Sequence, residues 1–159
     1  MIYSDRLLTN PAYLNLLARI EKAEQERIFC GHGLDHFMDV ARIARIINCE
    51  ENLGLKADDI YLASLLHDIG RLQQYEDGTP HDEAGVPIAA AFLEQIAYPE
   101  ERQAAILAVV SGHRGEKQDE ESLTELIRRA DKLSRPCFFC PARGRCKWPE
   151  KQKNESFRY

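Results

Sequence analysis

The chain predicts an all-α fold, a single compact helical bundle, on three observations. Apolar residues recur at spacings of three and four along several stretches. No run of useful length alternates apolar and polar residues as a half-buried strand would. Caps and breakers fall where the periodic stretches begin and end. At 159 residues the chain suits one domain with a real core and is short for two. Hydrophobic residues make up 44% and charged residues 30%, a globular balance and not a disordered one.

The elements follow in order. Asn10-Pro11 is a cap and first-turn pair for a helix with Leu14, Leu17 and Ile20 or Ala18 on its apolar side. Residues 31–33 break it. The next helix holds His36, Val40, Ile43 and Ile47 on one face of a 3.6-residue period, and residues 52–54 end it. Asp58 and Asp59 open a helix that closes at His67-Asp68-Ile69-Gly70. Residues 72–80 read as a polar loop with a turn at Asp77-Gly78. A helix from about Asp82 turns Ala89, Ala90, Leu93 and Ile96 inward. Pro87 either delays its regular part or kinks it, because proline lacks the donor and clashes one turn back. Pro99-Glu100-Glu101 begins a helix through Ala105, Ile106, Val109 and Val110 to Gly112-His113. Residues 121–134 form the last, with Leu123, Leu126, Ile127 and Ala130 inward. From Pro136 the character changes to closely spaced cysteines, prolines and a charged end. The expected organisation is a helical domain over residues 1–135 and a cysteine-containing extension, 136–159, packed on it.

The net charge of -5 argues against a nucleic-acid polymer or an anionic membrane as partner. It leaves room for a small phosphorylated substrate, because a metal ion supplies positive charge locally. No apolar stretch reaches spanning length, and residues 1–6 lack a signal pattern, so the expected location is the cytoplasm. There the five cysteines favour thiols or metal ligands over disulfides.

The most informative feature is the doublet His67-Asp68 at the end of an apolar helix. Burying a carboxylate without a partner costs about several kcal/mol. A divalent cation shared with other imidazoles and carboxylates removes that cost. Residues of ligand type follow one another as His36, His67, Asp68, His81, His113 and Asp131. Asp131 falls one turn after Ile127, and His36 begins its helix's apolar stripe, so both point toward the core.

The segments His36-Phe37-Met38-Asp39-Val40, Leu65-Leu66-His67-Asp68-Ile69-Gly70-Arg71 and Ala130-Asp131-Lys132 resemble the HD superfamily of metal-dependent phosphohydrolases over roughly residues 30 to 135. The resemblance implies one metal held by His36, His67, Asp68 and Asp131. Members with two metals add two histidines, which here are His81 and His113, and Asp68 then bridges both ions. The expected cofactors are one or two divalent ions per chain, iron, manganese, cobalt, nickel or zinc. Asp68 holds the metal and orients the attacking water. Arg71, Lys132, Arg114 and Arg135 stand beside ligand positions, and basic residues placed like Arg71 and Lys132 often face substrate in the family. The expected activity is hydrolysis of a small phosphorylated metabolite or nucleotide. Alternatives are a di-iron oxygenase of the same superfamily and a non-catalytic nucleotide-binding regulatory domain. Homodimer formation stays open.

His32, one turn before His36, reads as a loop histidine that reaches the pocket mouth at most. Cys137, Cys140 and Cys146 are spaced to bind zinc or an iron–sulfur cluster, but a zinc site takes four ligands. The fourth is open among Cys30, Cys49, a histidine and an exogenous group. Packing or free thiols beside Phe138, Phe139 and Trp148 is the plainer alternative.

Overall fold

The computed structural model describes residues 1–112 and 122–159. Among these there is no strand. Eight α-helices follow one another: α1 (Ile2–Leu8), α2 (Pro11–Ala23), α3 (Leu34–Glu50), α4 (Ala57–Leu66), α5 (Arg71–Asp77), α6 (His81–Gln95), α7 (Glu100–Gly112) and α8 (Leu123–Leu133). Three short 3-10 turns complete the tail, Cys137–Phe139, Arg143–Arg145 and Glu150–Gln152. No described helix is long and apolar enough to cross a membrane.

The bundle is organised around α4. Ile60 and every residue from 62 to 66 are buried, so this helix is apolar all round, as a central helix has to be. It packs against α1, α3, α7 and α8. Burial continues without a gap through His67, Asp68, Ile69 and Gly70. The turn these residues make is closed by Ile69 N donating to Leu66 O (3.1 Å) and Arg71 N to Asp68 O (3.0 Å). The Leu65 carbonyl, one of those left over where a helix ends, accepts from the Tyr13 hydroxyl at 2.8 Å.

The neighbours of α4 form for the reasons their sequences suggest. Asn10 Oδ1 caps α2 by accepting from Ala12 N (2.9 Å) and Tyr13 N (3.3 Å). Ser122 Oγ caps α8 by accepting from Glu125 N at 3.1 Å. On α3 the stripe Val40, Ile43, Ile47 is buried as its period predicts, joined by Phe37 and Ala44. On α8 Leu123, Leu126, Ile127 and Ala130 face the core.

Five points of the sequence reading need correction. The first seven helical residues, α1, carried no signal strong enough to be read. Asp58 holds this helix by accepting from Ser4 N (2.9 Å) and Ser4 Oγ (2.5 Å). On α2 the buried residues are Tyr13, Leu17 and Ile20, while Leu14 and Ala18 are exposed. The expected polar loop over 72–80 is instead largely α5, anchored by buried Leu72 and ended by Gly78 at φ 84, in the left-handed region glycine tolerates. Ala105 is exposed on α7. Pro87 neither delays α6 nor ends it; the helix starts at His81 and runs through an exposed Pro87.

One glycine pair sets the depth at which α6 docks. A Cβ on Gly70 would overlap the His81 carbonyl oxygen and the Gly85 nitrogen, and one on Gly85 would press on Val110 Cγ1. Backbone therefore meets backbone between the turn after α4 and the first turns of α6, which carries His81 inward next to Asp68.

The tail is short of regular structure but not loose. Asn154 Nδ2 donates to the carbonyls of Lys132 (2.8 Å), Leu133 (3.4 Å) and Arg135 (2.6 Å), so residues 153–155 return to satisfy the open end of α8. Lys153 Nζ donates to Arg143 O at 3.1 Å.

Candidate metal centre

The end of α4 supplies the middle of the site. His67 is fully buried and Asp68 1% exposed. His67 Nδ1 donates to Ser64 O at 2.6 Å, which directs Nε2 toward Asp68 Oδ2 (3.4 Å) and Asp131 Oδ1 (3.9 Å). α3 brings His36, with Nε2 3.2 Å from Asp131 Oδ1 of α8. His36, His67 and Asp68 each offer a ligand atom within 4.8 Å of the others. α6 brings His81, fully buried, with Nε2 3.1 Å from Asp68 Oδ1 and Nδ1 3.1 Å from Gln74 Oε1. The two oxygens of Asp68 thus face different imidazoles, His67 on one side and His81 on the other. His113 and Arg114 lie outside the described residues.

The electrostatics of the site call for positive charge. Burial alone would raise the Asp131 pKa, but the hydrogen bond with His36 and the charges of Arg135 and His67 reverse this and leave it well below the carboxylate range. Burial also pushes His36 down, to about 4, so that ring is neutral. Its Nε2 lies 2.9 Å from Arg135 Nη2, and the same nitrogen of Arg135 donates to Asp131 Oδ1 at 2.8 Å. Nδ1 of His36 then turns to Ser134 Oγ at 3.3 Å. For His67 burial would lower the pKa, yet the Asp68 carboxylate raises it overall. Arg71 grips Asp68 with two bonds, Nε to Oδ1 (2.9 Å) and Nη2 to Oδ2 (3.2 Å). The buried carboxylate of Asp68 and the partly buried one of Asp131 are therefore matched by two guanidinium groups and a proton-seeking imidazole. A divalent cation fits this donor set: hard carboxylate oxygens, imidazole nitrogens, and ring nitrogens on the far side anchored by protein groups.

His32 is the residue that sequence reasoning placed too far out. It is 3% exposed, and its Nε2 lies 3.6 Å from Asp68 Oδ2. Glu24 holds it twice, accepting from His32 N at 2.7 Å and lying 2.5 Å from Nδ1. Burial works to raise the Glu24 pKa, but hydrogen bonds from His32 and Tyr75 bring it to about 2, so the carboxylate is ionised. A carboxylate behind an imidazole is the arrangement that orients metal-ligating histidines. The one available signal was Glu24 itself, at the C-terminal cap of α2.

Above the centre lies a cavity of about 440 Å³. His32, Asp131, Arg71 and Arg135 form the part of its lining next to the metal ligands. Arg27 and Phe29 come from the loop after α2, and Cys146, Lys147 and Trp148 from the tail. Lys132, expected at the substrate because it follows Asp131, is exposed and does not line this cavity. On a helix the next residue is turned about 100° away, and Arg135, one turn on from Asp131, takes the position instead. Cys137, Cys140 and Cys146 meet around a second, small cavity, with Cys30 as a fourth thiol.

Comparison with known proteins gives four findings. The family model described as HD domain matches residues 33–135. A protein of Clostridium beijerinckii that carries only the name uncharacterized protein is 42% identical over 153 residues, covering 96% of both chains. Ribonuclease Y of Pseudothermotoga lettingae is 33% identical over 101 residues, 64% of this chain but only 18% of that protein. Among solved structures, a predicted HD superfamily hydrolase from an uncultured Thermotogales bacterium superposes with a TM-score of 0.63 at 20% identity, over 96% of this chain and 87% of that one. At that identity the last likeness speaks for the fold.

Proposed function

The chain belongs to the HD-domain family, and from that premise we propose that it is a metal-dependent phosphohydrolase acting on a small phosphorylated metabolite or nucleotide. The observation that carries the reading is the cavity over Asp68 and Asp131, in which Arg27, Arg71, Arg135 and Lys147 converge on a chain whose net charge is -5. Four cations in one concave, part-buried place match phosphate oxygens, and arginine pairs with them bidentately. Trp148 and Phe29 line the same cavity and suit the flat face of a base. At about 440 Å³ it has the size of small-molecule sites and holds a mononucleotide more readily than a polymer.

In this reading His36, His67, Asp68 and Asp131 hold one ion, and Asp68, His81 and His113 hold a second. Iron, manganese, cobalt, nickel and zinc all suit the donors. A cation held there lowers the pKa of water toward neutrality and offsets charge on phosphorus-bound oxygens. The protein's own part is positioning. Asp68 faces both groups of imidazoles. Arg71 and Arg135 line the cavity and hold positive charge beside Asp68 and Asp131. Glu24 keeps His32 in the tautomer whose Nε2 faces Asp68. Phosphoryl transfer asks mainly for such placement and charge neutralisation.

The test is phosphate release from a panel of nucleotides and phosphomonoesters, using protein loaded anaerobically with each metal in turn. Metal-dependent release that is lost in Arg71→Ala, with metal retained, is expected. No release from any member, with ions bound at full stoichiometry, would overturn the reading. Dioxygen uptake with an organic substrate would put the di-iron oxygenase in its place.

A further inference from the structure

We propose that Cys30, Cys137, Cys140 and Cys146 form a separate structural site that binds a single zinc ion through four thiolates. The four thiols come from two distant parts of the chain and line one small enclosed cavity. Cys137 begins the 3-10 turn Cys137–Phe139 and Cys140 ends it, its N–H donating to Cys137 O at 3.3 Å. Cys146 ends the turn Arg143–Arg145 in the same way, its N–H donating to Arg143 O at 3.2 Å. Cys30 arrives from the loop between α2 and α3. This settles the fourth ligand that spacing alone left open. Cys49 is exposed near the end of α3 and does not line the cavity, and none of the described histidines does.

Size and charge select the occupant. The cavity measures about 20 Å³, room for one water-sized guest. That suits a single ion better than a cluster of four irons and four sulfides. Binding releases four thiol protons to solvent and leaves a zinc tetrathiolate of net charge minus two. Basic groups face that charge: Arg143 and Lys153 line the cavity, and Arg135 lies against Cys30. Lys153 is only 8% exposed, a costly place for an ammonium group that a neighbouring anionic complex makes favourable. Its partner Glu150, and Glu155 opposite Arg143, are both exposed. Among the described residues the only trio of ligand atoms within 4.8 Å of one another is the histidine–aspartate group, so the sulfurs must draw together on binding.

The consequence is a clamp. Cys30 lies two residues before His32, and Cys146 directly precedes Lys147 and Trp148. One ion would tie the loop that carries His32 to the tail that closes the cavity over it.

The test uses the full chain and separates this ion from the histidine-bound metal. In Asp68→Asn, expected to lose the latter, about one zinc per chain should remain. A mercurial reagent should release it at four thiol equivalents per ion. The cobalt-substituted protein should show the intense near-ultraviolet and visible bands of a tetrahedral tetrathiolate. Thiol titration of native protein should detect Cys49 alone, and all five cysteines once the ion is removed. Cys140→Ser should lose this ion while keeping the histidine-bound metal; if that variant fails to fold, the thiol count on the wild type decides. Immediate reaction of all five thiols, a mass deficit showing disulfides, or iron with inorganic sulfide in place of zinc would each overturn the proposal.

Discussion

Two halves of the site are held in place by different physics. His36, His67 and Asp131 stand on α3, at the end of α4 and on α8, and these helices also bury Phe37, Leu65, Leu66 and Ile127. Their side chains point inward because the same helix faces bury the core. His32, Arg27 and Trp148 stand on segments without a period, and individual polar contacts hold the first two, Glu24 behind His32 and the Cys30 carbonyl at Arg27 Nε. The helix-borne half is therefore coupled to folding. The loop-borne half can be altered with the bundle intact, and it is where substrate choice would reside.

The largest effect should come from the residue that belongs to both halves. Asp68 contacts His67, His81, His32 and Arg71. Asp68→Asn keeps the volume and removes the charge. Turnover should fall by at least about 10³-fold, the scale of losing a charge contact made in the transition state. The histidine-bound metal should be lost, while the helical circular dichroism stays near wild type. Near-normal phosphate release would break the comparison, because the two halves would then not share a centre.

Next is the joint that brings α6 to Asp68. Gly70→Ala places a methyl group against the His81 carbonyl and the Gly85 backbone, neither of which can yield as a flexible side chain does. Overpacking of this kind costs about 1–3 kcal/mol. A lowered melting temperature is expected together with selective loss of the ion assigned to His81. Gly85→Ala, which meets the Val110 side chain instead, should be milder.

The same contrast explains what could be read from sequence. The stripe His36, Val40, Ile43, Ile47 was legible because four positions repeat one direction, and the doublet because it closes an apolar helix. α5 was missed because its seven residues include five polar ones and only one of them all, Leu72, is buried. Leu14 was preferred to Tyr13 because hydropathy does not register that the tyrosine's hydroxyl has a carbonyl to meet. His32 and Cys30 lie beside Gly31, where no period applies. Their directions depend on Glu24 in one case and on three thiols more than a hundred residues away in the other, and local sequence contains neither fact.

Glu24→Gln sharpens the distinction on the loop side. It removes the charge that fixes the His32 ring and touches no core residue. Turnover or metal affinity should fall by roughly 10–100-fold, the usual cost of losing the group behind a metal-facing imidazole. Thermal stability should move little, which differential scanning calorimetry measures directly. A large drop in melting temperature with unchanged turnover would show His32 to be a packing residue.

The smallest effect should come from Lys132, and it tests whether adjacency in sequence or position on the helix decides function. Lys132 neighbours Asp131 in sequence but is exposed and away from the cavity, whereas Arg135 is a turn further on and contacts both Asp131 and His36. Lys132→Ala should leave phosphate release within about two-fold and stability within about 0.5 kcal/mol, as for surface changes generally. Arg135→Lys keeps the charge but loses the fork that lets one group serve Asp131 Oδ1, His36 Nε2 and Gly31 O. It should impair turnover markedly more than Lys132→Ala does. The reverse order would mean that the end of α8 is rotated from the orientation in which Asp131 faces His36, and the helix-borne half of the comparison would have to be redrawn around Lys132.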